Sequence, residues 1–183
     1  VDSIQVPLLD LKSQYAAMQE KILRAVEETL ASGQWVLGPK VQELEIRLAG
    51  RITAKHAVGV ASGTDAILLS LKALGCGPGD EVICPAFTFF ATAGAVSNCG
   101  ATPVFVEIEE RSFNLDPAAL AAAFSERTKA VVPVHLFGQA AEMDPILDLC
   151  RSRGVAVVED AAQSIDATYK GQKAGAIGDT GCF

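Results

Sequence analysis

The chain contains no block of basic residues: fifteen lysines and arginines stand against twenty-two aspartates and glutamates, a formal charge of −7. A phosphate backbone is repelled over most of such a surface, so nucleic acid is not an expected partner. Long apolar runs are missing as well. The stretch around Phe87 to Val96 is too short to cross a bilayer, and Val1 to Asp10 has neither the basic start nor the apolar core of a signal peptide. The chain reads as soluble, without a membrane partner. Cys-x-x-Cys spacing is absent among Cys76, Cys84, Cys99, Cys150 and Cys182. An odd set of five suits free thiols in a reducing compartment better than a disulfide frame or a zinc site, which points to the cytoplasm and to no metal. Linkers rich in Gly/Ser or Pro, internal repeats and low-complexity segments are also lacking. With half of its 183 residues hydrophobic, the chain is expected to form one domain around a substantial core.

What is present is a change of period along the chain. Leu11, Tyr15, Met18, Ile22 and Val26 recur three and four apart, which predicts an amphipathic helix that needs something to dock on. After Ser32-Gly33-Gln34-Trp35, Pro39 suits the first turn of a second helix with Val41, Leu44 and Leu48 on its apolar face. Then short β-branched runs at Ala57 to Ala61, Glu81 to Cys84, Thr102 to Val106, Ala130 to Val134 and Val155 to Val158 alternate with segments of helical composition. Asp116-Pro117 and Asp144-Pro145 each supply an N-cap followed by proline, and Gly75, Gly100 and Gly154 stand where helices should end. Such alternation implies an α/β fold of three layers, a mostly parallel sheet with helices on both faces, whose ligand sites lie beyond the C-terminal ends of the strands. Thr180 to Phe183 reads as the start of a further strand, an unpaired apolar end that suggests truncation.

Four segments at those strand ends carry polar or aromatic groups. Ser62-Gly63-Thr64 opens a helix over Ala66 to Leu74, so a phosphate could sit on Gly63 and Thr64, or the turn could be an ordinary N-cap by Ser62 or Thr64. Glu159 and Asp160 end an apolar strand; a carboxylate there could hold a metal, a ribose hydroxyl or a protonated ring nitrogen, or merely cap a helix or face solvent. In Pro85-Ala86-Phe87-Thr88-Phe89-Phe90 one ring could stack on a flat heterocycle, while Phe87 and Phe90 are expected in the core. His135 and His56 read as structural histidines. A nicotinamide-binding oxidoreductase suits the alternation but would want G-x-G-x-x-G after its first strand, which is missing.

Taken together, Ala61-Ser62-Gly63-Thr64-Asp65-Ala66, Pro85-Ala86-Phe87-Thr88-Phe89, Pro133-Val134-His135-Leu136-Phe137-Gly138, Glu159-Asp160-Ala161-Ala162-Gln163-Ser164, Tyr169-Lys170-Gly171 and Gly178-Asp179 resemble the DegT/DnrJ/EryC1/StrS family of nucleotide-sugar aminotransferases. Order and spacing match from Pro7-Leu8-Leu9-Asp10 to Phe183. The resemblance implies the large, cofactor-binding domain of a fold type I pyridoxal-phosphate enzyme over residues 1–183, with N-terminal helices over about 10–54, an αβ core over about 55–183 and no C-terminal small domain. By the same resemblance Gly63 and Thr64 would bind the cofactor phosphate, Phe89 would stack on the pyridine ring, Asp160 would pair with its nitrogen and Gln163 would hold its phenolic oxygen.

The family's Schiff-base lysine would come a few residues beyond Phe183, and Lys170 and Lys173 lie in the wrong motif to replace it and read as surface charges. Ile165-Asp166-Ala167 departs from the many members that have glycine before the alanine, which bears on the local backbone path. The implied function of the longer protein is transfer of an amino group, from glutamate, to a keto group of a nucleotide-linked sugar in glycan or antibiotic biosynthesis, by a homodimer. Two alternatives are a sugar dehydratase of the same fold with another residue at the lysine position, and a non-catalytic module that binds pyridoxal phosphate or a nucleotide sugar.

Overall fold

A computed structural model describes residues 8–183; Val1 to Pro7, where the leader reading and the first residue of the resembling stretch fall, lie outside the described residues. The chain divides into two compact units, one up to Glu45 and one from Ile46 onward.

The first unit is built on α1 (Leu11–Ser32), the helix that the apolar spacing predicts. Asp10 caps it, its carboxylate accepting from Ser13 N at 3.0 Å and from the Ser13 hydroxyl at 2.6 Å. No side chain of α1 is buried, and Leu11, Tyr15, Met18, Ile22 and Val26 all stay exposed. Helix α2 (Pro39–Ile52) starts on the expected proline and runs into the second unit, where Ile52 is buried.

The second unit is a parallel sheet. Strands β1 (Glu81–Pro85), β2 (Thr102–Val106), β3 (Thr128–Val131), β4 (Ala156–Asp160) and β7 (Thr180–Cys182) lie in the order β2-β1-β3-β4-β7, every pair parallel. Between β4 and β7 the two short strands β5 (Thr168–Tyr169) and β6 (Gln172–Lys173) form an antiparallel hairpin. The chain steps from β1 to β2 in one direction and from β2 through β3 to β4 in the other. Right-handed connections made in opposite directions must pass over opposite faces.

The core records this, because side chains alternate along a strand. Val82, Cys84, Ala130, Val132 and Val158 point to one face and pack with α3 (Gly63–Ala73) and α4 (Phe90–Cys99) through Ile67, Leu71, Ala95 and Val96. Their neighbours Ile83, Val131 and Val157 point to the other and pack with α5 (Pro117–Ala123) and α6 (Met143–Arg151) through Leu120, Met143, Ile146, Leu147 and Cys150. Central β1 is buried throughout, whereas edge strand β2 is buried only at Val106. All five cysteines are free, as expected, and all are buried; burial pushes the Cys84 and Cys150 thiols up to about 12.

Two expectations fail. The run Ala57 to Ala61 joins no strand of the described residues and is an irregular lead into α3. Alternating valines fit a pleat, but a strand exists only where a neighbour completes its ladder. Asp144 does not cap α6, which begins one residue earlier, at Met143. Its start is satisfied from a distance: the Tyr169 hydroxyl accepts from Asp144 N at 3.3 Å and donates to Glu142 Oε2 at 3.1 Å. Asp116 and Pro117 behave as read, the Asp116 carboxylate accepting from Ala118 N at 2.9 Å. Gly75, Gly100 and Gly154 follow their helices at φ of 77°, 89° and 66°.

Candidate functional site

The sequence-predicted residues all fall where the parallel strands end. Asp160 is the last residue of β4, next to β7 through the pair Asp160↔Cys182 and bridged on its other side to Val134. The pleat sends Glu159 and Asp160 to opposite faces, and this decides their fates.

Asp160 turns towards α4 and is 7% exposed. Its Oδ2 accepts from the Thr92 hydroxyl at 2.8 Å, and its Oδ1 lies 3.3 Å from Ala162 N. No lysine, arginine or histidine pairs with it among the described residues. A carboxylate taken out of water without a cation costs several kcal/mol. Among the described residues none supplies that cation, so a ligand would have to bring it.

Glu159 turns the other way and is fully buried. It accepts from His135 Nε2 at 2.8 Å, from Gly175 N at 2.8 Å and from Ile177 N and Gly178 N at 2.7 Å each. Burial works against its charge, yet these four donors together hold its carboxyl below the usual range. His135 Nδ1 accepts from Ala141 N at 3.1 Å, so the proton sits on Nε2 and faces Glu159. His135 is the structural histidine expected, and Glu159 is neither a cap nor exposed to ligand.

Gly63 and Thr64 are the first two residues of α3. Ser62 caps the helix, its hydroxyl accepting from Asp65 N at 3.1 Å and its carbonyl from Ala66 N at 2.9 Å. Among the described residues the N–H groups of Gly63 and Thr64 and the Thr64 hydroxyl have no protein partner. They form an anion seat at the positive end of an eleven-residue helix. A Cβ on Gly63 would lie 3.3 Å from the Phe183 carbonyl oxygen. Phe183 follows Cys182, which pairs with Asp160 and whose carbonyl accepts from Ala161 N at 2.8 Å. The anion seat and the carboxylate therefore flank the same strand end.

Gln163 lies in the turn after β4, and its Oε1 accepts from Phe137 N at 2.8 Å. That bond orients the amide so that its NH2 group faces away as a free donor. Phe137 is held in the left-handed region at φ 56° and is 72% exposed. Phe89 precedes α4 with its ring 73% exposed. Phe87 and Phe90, expected in the core, are 50% and 82% exposed, because the loop and the first turn of α4 rise above the sheet's packed layers. No hydrogen bond joins the five predicted residues directly to one another. Strand β7 links Gly63 to Asp160, and the opening turn of α4 links Phe89 to it.

Sequence reasoning missed Thr88, Thr92 and the Phe137 N–H. A Phe-Thr-Phe-Phe-Ala-Thr string shows which residues approach a strand end only once the loop's path is known. Lys170 and Lys173 are the surface charges expected, Lys170 paired with Asp144 and Lys173 lying 3.6 Å from an Asp166 oxygen. At the departure from the family pattern, Asp166 adopts φ 69°, the region that suits glycine and that aspartate tolerates better than most residues. Arg51 Nε holds its two carboxylate oxygens at 2.7 Å and 2.9 Å. No group of three potential metal ligands occurs among the described residues, and none of their helices is long and apolar enough to cross a membrane.

The arrangement suits a ligand with an anion at one end and a protonated base at the other. Comparison with known proteins identifies the family. The model of the DegT/DnrJ/EryC1/StrS aminotransferase family matches residues 16–183. A pleiotropic regulatory protein of Geobacillus stearothermophilus is 47% identical over 98% of this chain and 48% of its own length. The UDP-2-acetamido-2-deoxy-3-oxo-D-glucuronate aminotransferase of Pseudomonas aeruginosa is 47% identical over 97% of this chain and 49% of its own. Among solved structures, DesV of S. venezuelae in complex with a ketimine intermediate superimposes with a TM-score of 0.92 at 45% identity, covering 95% of this chain and 47% of that one. The chain spans about half the length of the curated relatives it matches.

Proposed function

Because the chain belongs to the DegT/DnrJ/EryC1/StrS aminotransferase family, we propose that it is the cofactor-binding part of an enzyme that moves an amino group, from glutamate, to a keto group of a nucleotide-linked sugar with pyridoxal phosphate. The observation that carries this is the Asp160 carboxylate, 7% exposed and without a cation of its own. A phosphate at a helix N-terminus gains about 0.3–1 kcal/mol from the dipole. An unpaired buried carboxylate costs several kcal/mol, so the demand for a cation is the more discriminating feature.

Pyridoxal phosphate fits both ends. Its phosphate would take the free N–H groups of Gly63 and Thr64 and the Thr64 hydroxyl, where the missing Cβ of Gly63 leaves room beside Phe183. Its protonated ring nitrogen would meet Asp160, its phenolic oxygen the NH2 group of Gln163, and its ring face the exposed Phe89. When bound, this cofactor supplies an electron-withdrawing ring that lets a carbon beside an amino nitrogen lose its proton. The part of Asp160 is to hold the ring-nitrogen proton in place, since a carboxylate favours the charged form of a base beside it. The family resemblance places the lysine that carries the cofactor in the chain beyond Phe183, and Lys170 and Lys173, paired with Asp144 and near Asp166, do not replace it. On this reading residues 1–183 are one cofactor-binding domain, and the protein works in the cytoplasm, where five free thiols persist.

The test is the longer protein with added pyridoxal phosphate, followed by absorbance and by the half-reaction with glutamate. Asp160→Asn should keep its melting temperature and lose about 10²–10³ in rate, the scale of removing one preorganised electrostatic group. The capping alternative has no helix to act on, since β4 runs into turns and the β5–β6 hairpin; near-normal turnover would leave Asp160 with only its structural contacts to Thr92 and Ala162. A non-catalytic binding module is the second reading, favoured by the regulatory name of the Geobacillus relative. A protein that binds the cofactor but releases no keto acid from glutamate supports that reading, or the dehydratase if another residue stands in place of the lysine.

A further inference from the structure

Thr92 is wholly buried in the opening turn of α4, between two oxygen atoms of other residues. Its hydroxyl lies 2.8 Å from Asp160 Oδ2 and 2.9 Å from Thr88 Oγ1. An ionised carboxylate has no proton to give, so the Thr92 hydrogen points at Asp160. The hydroxyl of Thr88 then donates to Thr92, and the bonds run in one direction from Thr88 to Asp160.

In a helix interior a threonine hydroxyl can bond the carbonyl four residues earlier, but Thr92 is the third residue of α4 and Thr88 lies before the helix. Thr92 sends its hydroxyl to another element. Packing does not require this, since valine has nearly the same shape and would fill the same space. What the hydroxyl adds is control of a torsion: rotation of a carboxylate about its last bond is broad and two-fold, so nothing intrinsic sets which oxygen faces where. The contact from Ala162 N to Oδ1 is long, at 3.3 Å. Thr92 is the closer of the two donors and leaves Oδ1 the freer oxygen.

We propose that Thr92, held by Thr88, is a positioning residue that fixes the rotation of the Asp160 carboxylate and keeps Oδ1 turned to the protonated ring nitrogen of the cofactor; this rests on the reading that Asp160 pairs with that nitrogen. The measurement is an equilibrium titration of the full-length protein with pyridoxal phosphate, together with the pH dependence of the bound cofactor's absorbance, for Thr92→Val, Thr92→Ser, Thr88→Val and Asp160→Asn. Thr92→Val should bind about tenfold more weakly, the scale of one hydrogen bond to a charged group, and its absorbance midpoint should move. Thr92→Ser, which keeps the hydroxyl, should restore both, and Thr88→Val should fall between. Weak binding by Asp160→Asn beside native binding by Thr92→Val would overturn the inference and leave the function standing. Native binding by Asp160→Asn would remove the inference together with the Asp160 pairing it rests on. Should Thr92→Val fail to fold, the other two threonine variants decide: an unmoved absorbance midpoint in Thr88→Val overturns the proposal, and a moved one with Thr92→Ser native supports it.

Discussion

Glu159 and Asp160 are adjacent carboxylates with opposite work, separated by one step of the pleat. Glu159 gathers one imidazole N–H and three backbone N–H groups, so its replacement by glutamine leaves an NH2 group facing donors. That should cost roughly 3 kcal/mol at neutral pH, the scale of breaking a buried charged network. The sign with pH follows from linkage. The folded-state pKa of Glu159 is lowered, so its contribution is fully present above the unfolded value, about 4.3, and is lost as pH falls through the folded one. Denaturant unfolding of Glu159→Gln beside the native protein should show the gap at pH 7 and a smaller gap below pH about 4. A gap that persisted undiminished in acid would mean that Glu159 is not ionised in the fold. The position of Asp160 was legible because an apolar strand ending in a carboxylate is a local pattern. The clasp around Glu159 was not, because one donor, His135, lies 24 residues earlier and the other three 16 to 19 residues later, and the Gly178-Asp179 motif does not show that its backbone folds back on the strand.

Elements were legible where their signals are local. Asp116-Pro117 starts α5 as read, since the cap and the proline sit within the first turn. The start of α6 was misread because Tyr169, twenty-five residues after Asp144, does the capping. The run at 57–61 was misread because its alternation says nothing about whether a neighbour completes the ladder. Helix α3 poses a sharper question at Gly63, whose φ lies outside the left-handed region, so glycine is needed there for space alone. Gly63→Ala gains up to about 1 kcal/mol in helix propensity. Against this, the new Cβ meets the Phe183 carbonyl oxygen at 3.3 Å and crowds the anion seat. The two effects on stability nearly cancel, whereas the effect on the ligand does not. The expected outcome is a melting temperature within a few degrees of native and roughly tenfold weaker binding of pyridoxal phosphate, about 1.4 kcal/mol. Native affinity in Gly63→Ala would move the phosphate elsewhere.

At the scale of the molecule, the α/β class and the mostly parallel sheet were legible from the alternation of periods, and helices on both faces follow from the handedness of the connections. The partner of α1 was not, since Leu11, Tyr15, Met18, Ile22 and Val26 remain exposed in the chain alone. A homodimer that covers this stripe, at about 800 Å² per partner for a stable interface, predicts twice the chain mass in sedimentation equilibrium of the longer protein. Met18→Glu should shift it to the monomer; a dimer untouched by that change would put the interface elsewhere. The strand order β2-β1-β3-β4-β7 carries one more consequence. Its first strand by sequence is interior, its second closes one flank, and each later strand is added to the opposite margin of what already exists. Among the described residues no strand is inserted between two earlier neighbours, so each can add to an edge that already exists as the chain is made from its N-terminus. The groups that would hold the ligand need that order, since Gly63 and Asp160 are brought to one strand end only when the strand ending at Cys182 stands beside Asp160.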